Sequence, residues 1–115
     1  MFDTLSRLLP LTVERSEARL KGVAGFTGTG QIRYAAWSAG HVTIDADLRG
    51  VAGLRAELHA RGDRLANLSC NNGVISAQFD SRKGGPAIAL AAGDRIEILQ
   101  NGQVILRGVL RAQGA

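Results

Sequence analysis

One cysteine, two prolines, two histidines and five aromatic residues are all that a chain of 115 residues holds of those types. The single thiol, Cys70, excludes an intrachain disulfide framework and any multi-cysteine zinc centre. His41 and His59 are too few for a redox copper site, which needs several imidazoles in tetragonal geometry. Phe2, Phe26, Tyr34, Trp37 and Phe79 leave few rings on which nucleobases would stack. No run approaches the ~18 apolar residues of a membrane-crossing helix, so no membrane span is expected.

What the chain does have is glycine, arginine and alternation. Apolar residues make up 45% of it, the fraction of an ordinary globular protein, and the length suits one domain over residues 1–115. The net charge of +4 comes from fourteen basic residues, twelve of them arginine, spread along the chain with no block of like charge. A solvated surface is the simple reading, and weak electrostatic binding of a polyanion the sharper one. Residues 1–10 carry no export signal, so the cytoplasm is the default location. With Asp3 as N-cap, Pro10 as stop, and Phe2, Leu5, Leu8 and Leu9 on one side, they predict a short amphipathic helix. That apolar side would cover one end of a sheet or dock on another chain.

From Glu17 onward the period is two. Val42, Ile44, Ala46 and Leu48 alternate with His41, Thr43, Asp45 and Asp47, and Leu54, Ala56, Leu58 and Ala60 with Arg55, Glu57, His59 and Arg61. One apolar and one wet face per strand is the mark of an antiparallel sheet. Asn72-Gly73 and Asn101-Gly102 sit between apolar runs, and Asn-Gly tolerates the positive φ that tight hairpins require. Turn signals delimit eight or nine strands, near 17–23, 29–37, 41–48, 54–61, 64–70, 74–79, 87–92, 94–100 and 103–111. The expected fold is all-β: a single antiparallel β-sandwich of Greek-key type over residues 17–111 with a short N-terminal helix, or alternatively a small closed β-barrel.

Two stretches carry a family resemblance. Val42 to Val51 (VTIDADLRGV) leads into Glu57 to Asp63 (ELHARGD), and Gly102 to Leu110 (GQVILRGVL) closes the chain. This resembles the CHRD domain and the related copper/zinc superoxide dismutase sandwich. There an alternating strand precedes a His-x-His strand, and the last strand reads Gly-x-Ile-Arg-Gly-x-Leu. The resemblance implies a sandwich. It does not carry the metal chemistry over, because Glu57 stands at the first His-x-His position and only His59 at the second.

Glu57 and His59 share a strand face, and with His41 they are the candidate ligands for a divalent metal. The simpler reading pairs Glu57 with Arg55 or Arg61. Cys70, in phase with Ala66 and Leu68, reads as a small core residue. Tyr34 shares the apolar face of Ile32 and Ala36, whereas Trp37 has the opposite parity and is the candidate partner contact, together with Phe2, Leu5, Leu8 and Leu9. The Arg61-Gly62-Asp63 tripeptide reads as turn chemistry. No catalytic constellation and no cofactor motif emerges. The expectation is a non-enzymatic binding or assembly module that associates with a protein partner or with itself, without a specific nucleic-acid site.

Overall fold

The computed structural model describes residues 12–113, most of them in strands. These are β1 (Thr12–Gly22), β2 (Thr29–Trp37), β3 (Val42–Arg49), β4 (Arg55–Ala60), β5 (Asp63–Ser69), β6 (Val74–Asp80), β7 (Arg95–Gln100), β8 (Gln103–Val109) and β9 (Arg111–Ala112). One 3-10 turn, Ser81–Lys83, follows β6. The sheet runs β5-β4-β7-β8-β1-β2-β3-β6, with β9 beside β1, and every ladder is antiparallel. Its two outer strands, β5 and β6, are joined by a tight turn, so the path curls back on itself into a nearly closed barrel. The all-β antiparallel expectation holds, and the barrel is the form it takes. No helix among the described residues is long and apolar enough to cross a membrane. The expected N-terminal helix, and with it Phe2, Leu5, Leu8 and Leu9, lies outside the described residues.

The alternation does what elementary strand geometry requires of it. In β3, Ile44, Ala46 and Leu48 are buried while Asp45, Asp47 and Arg49 face water. Asn72, Gly73, Asn101 and Gly102 all have positive φ, so both Asn-Gly pairs form the hairpin tips. β1 begins five residues earlier than alternation indicated, because its inward position before Ala18 is the polar Ser16, 1% exposed, and an irregularity between Thr12 and Glu14 interrupts the register beyond that.

Two bulges shift the parity elsewhere. In β5, Leu58 faces Ala66 and His59 faces Arg64, which leaves Leu65 without a partner. Ala66 keeps its expected phase with Leu68, opposite Leu58, yet is only half-buried, and the extra residue Leu65 packs partly against the core. In β8, Ile98 faces Leu106 and Leu99 faces Val104, so Ile105 is the extra residue, and Ile105 and Leu106 are both buried.

Each end of the barrel is closed by a loop. Residues 87–92, predicted as a strand, have no regular structure and cross the end that carries the β2–β3 and β4–β5 turns. Pro86 brings no N–H to a ladder, and the segment's polar groups find side chains instead. Tyr34 Oη donates to the Ile88 carbonyl at 3.4 Å, Arg61 Nη2 donates to the Ala89 carbonyl at 2.9 Å, and the Ala91 amide donates to Asp94 Oδ2 at 2.8 Å. Leu90 is buried and Ile88 packs beneath. At the opposite end Val51 is the plug: its amide donates to the Gly73 carbonyl at 3.2 Å and its carbonyl accepts the Cys70 thiol at 3.0 Å. Leu54, expected on the core face of β4, precedes that strand and is 78% exposed.

Candidate functional site

The outer face of β1, β2 and β3 carries charged side chains and a tryptophan around a groove. Register sets its rows. Arg111 of β9, Glu17 of β1, Arg33 of β2, Asp45 of β3 and Gln78 of β6 stand side by side, alternating in sign from one strand to the next. One row toward the β2–β3 turn come Arg15, Ala35 and Thr43. Trp37 closes the face. A groove of about 400 Å³ runs between them, lined by Arg15, Glu17, Arg33, Trp37, Thr43 and Asp45 among others.

Trp37 is held on three sides. Its indole Nε1 donates to Thr43 Oγ1 at 3.0 Å. Its ring stacks on that of His41, with centroids 5.7 Å apart and planes 2° from parallel. Its amide donates to the His41 carbonyl at 3.0 Å across the turn. His41, expected on a wet face, is thus covered by the indole and only 7% exposed, and its Nδ1 has no partner among the described residues. Trp37 itself stays half-buried, as its parity indicated.

The charges of this face are unevenly used. Glu17 accepts from the side-chain amides of Gln31 and Gln113. Arg33 and Asp45 are direct register partners, yet neither takes part in an ion pair among the described residues. Next to the face, Asp80 caps the 3-10 turn and pairs with Arg82 at 2.7 Å, which holds its carboxyl well below the usual carboxylate range.

The metal ligands considered from sequence do not come together. Glu57 and His59 do meet on the outer face of β4, with Oε1 2.9 Å from Nε2. His41 lies in the β2–β3 turn, and β7, β8, β1 and β2 separate β4 from β3 in the sheet. Among the described residues no three His, Cys, Asp or Glu side chains are grouped to hold a metal ion. Glu57 takes Arg64 as its cationic neighbour, at 3.6 Å, rather than Arg55 or Arg61. Arg61 instead ties the end loop down through Ala89 and approaches Asp94 at 3.7 Å. Cys70 is buried and serves the Val51 plug, and Tyr34 is core, both as expected.

No family model and no curated protein matches this chain. The groove must be read from its own side chains. Arg15 and Gln113 were missed by the sequence reading because both lie outside the alternating stretch, at the start of β1 and just beyond β9. The Trp37–Thr43 bond had a signal in the sequence: both residues have the outward parity of strands joined by a tight turn.

The Glu57–His59 pair gives a pH prediction. The hydrogen bond from His59, and then the charge of Arg64, lower the Glu57 pKa from its ordinary value of 4.5. A carboxylate whose folded pKa is depressed stabilises above its unfolded pKa and loses that contribution as pH falls through the folded value. Glu57→Gln is therefore expected to lower the melting temperature at neutral pH and to converge with wild type as the solution is acidified below 4.5. Thermal melts followed by circular dichroism across that range check it, and a pH-independent difference contradicts it.

Proposed function

We propose that the chain is a non-enzymatic binding module that associates with a second copy of itself through the outer face of β1, β2 and β3. The observation that carries this reading is Arg33 beside Asp45, neither in an ion pair among the described residues, in a row of alternating charge. A two-fold axis parallel to the strands, passing between β2 and β3, brings Arg33 of each copy onto Asp45 of the other. That is the self-complementarity an isologous dimer requires. Trp37, already immobilised by Thr43 and His41, loses little side-chain entropy on being covered, and tryptophan and arginine are the residue types that carry interface energy.

The chemistry-bearing side chains support a non-catalytic reading. The Cys70 thiol is buried against Val51, and Glu57, His59 and Asp80 are engaged with their neighbours. The likeness of residues 17–111 to CHRD domains fits the same reading, being a likeness to a scaffold without its metal histidines.

Light scattering over a concentration series tests the proposal. The wild type is expected to exceed its monomer mass of 12.1 kDa and approach twice that value. Arg33→Asp is expected to return it to monomer, and the swap Arg33→Asp with Asp45→Arg to restore the dimer. A wild-type chain that stays monomeric overturns the reading. So does a dimer that survives Arg33→Asp but is lost on deleting residues 1–10, which would assign association to Phe2, Leu5, Leu8 and Leu9 instead.

A further inference from the structure

The opposite end of the same three strands carries a different chemistry. Lys21, Thr29 and Arg49 are register neighbours on β1, β2 and β3, and Arg19 lies two residues from Lys21 on the same side. With Gln31, Gly30, Leu20 and Asp47 they line a second groove of about 400 Å³. All three cations are exposed, and none takes part in an ion pair among the described residues. On its far side Lys21 faces Arg107 of β8, a like-charge pair in direct register, which is unfavourable in a sheet. Arg107 is partly neutralised, since it donates to Glu97 Oε2 at 3.0 Å.

We infer that this groove binds the phosphate group of a phosphomonoester. Three cations against the one carboxylate of Asp47 leave the groove short of about two negative charges, and a phosphomonoester near pH 7 carries about −1.5 to −2. The guanidinium forks of Arg19 and Arg49 donate in the plane that phosphate oxygens accept, Lys21 adds a point charge, and the Thr29 hydroxyl supplies a neutral donor between them. An anion seated there also relieves the Lys21–Arg107 repulsion, so the site is more stable filled than empty.

Compactness is what separates this ligand from a nucleic acid. Asp47 within the groove and Asp45 and Glu17 beyond it interrupt the face, so a strand of successive phosphates has no continuous basic track to follow. The inference does not depend on self-association, since its cations are one and two rows away from the Arg33–Asp45 row.

Inorganic phosphate is the probe, added at constant ionic strength while backbone amide resonances are followed. Saturable shifts are expected at Arg19, Lys21, Thr29, Gln31 and Arg49. In Lys21→Gln with Arg49→Gln affinity is expected to fall about tenfold or more, while the melting temperature in the absence of phosphate does not fall and rises slightly as the Lys21–Arg107 repulsion is removed. Thr29→Val, which leaves the charges in place, is expected to weaken binding by a smaller factor, and it stands in if the double variant does not fold. Shifts that do not saturate, or an affinity that the variants leave unchanged, overturn the inference. A single-stranded oligonucleotide that binds more tightly than phosphate, with shifts continuing across Arg33 and Arg15, overturns it in favour of a nucleic-acid surface.

Discussion

Gly108→Ala is expected to destabilise the barrel by about 3 kcal/mol and to lower its melting temperature by roughly 10 °C or more. A Cβ at this position meets the Arg19 carbonyl oxygen at 2.3 Å and Leu20 Cδ2 at 2.7 Å. The Leu20 side chain is 2% exposed and has nowhere to go, and the carbonyl belongs to the β1 backbone. The added methyl is accommodated only if β8 moves away from β1. These strands share just two register pairs, Lys21 with Arg107 and Gly22 with Leu106, so a displacement that breaks them gives up the whole ladder between β8 and β1. Thermal and urea denaturation check the prediction. A variant melting within a degree or two of wild type would show that the strands are not in this contact.

Ile98→Ala is expected to cost about 3–4 kcal/mol. Ile98 is 0% exposed and sits between Leu58 of β4 and Leu106 of β8, which are themselves 0% and 1% exposed. Removing its branched end opens a cavity whose walls belong to three paired strands, and such walls collapse poorly. The urea midpoint should fall with little change in slope, the behaviour of a stability loss without a change in the area exposed on unfolding. Leu54→Ala is the control. Leu54 is 78% exposed, and its truncation is expected to shift the midpoint hardly at all. Equal losses from the two substitutions would contradict the placement of the core.

Those two leucine and isoleucine positions also mark how far the sequence could be read. Alternation placed Ile44, Ala46 and Leu48 of β3 in the core correctly, because each strand face meets one environment throughout. It failed at Leu54, where the apolar residue precedes the strand and the loop sends it to solvent. The bulges at Leu65 and Ile105 each add one residue and reverse inward and outward beyond it, a change that alternation does not announce. Residues 87–92 have a strand-like apolar pattern, yet they follow Pro86 and join no ladder, and Ile88 and Leu90 pack on the core at an end of the barrel instead.

The candidate surface was legible only in its parts. Trp37 was singled out correctly as an outward aromatic, whereas its stack on His41 depends on the Ser38–Gly40 turn bringing the two rings parallel. The grouping of Arg19, Lys21 and Arg49 requires knowing that β1, β2 and β3 are adjacent and in what register. Composition alone spread those charges evenly along the chain.

β1 has one further consequence, for the order of events in time. It is paired with β2, its neighbour in sequence, on one side and with β8 and β9 on the other. Glu17 and Arg111 are register partners across a separation of about 90 residues. The β1–β2–β3 meander and the β4–β5 and β7–β8 hairpins close over short spans, at low cost in chain entropy. Joining β8 and β9 to β1 brings together segments far apart in sequence, and it draws on only two register pairs with each strand. This junction is therefore expected to form after the local hairpins. Until it forms, both flanks of that junction present unpaired amides and carbonyls to any other chain within reach.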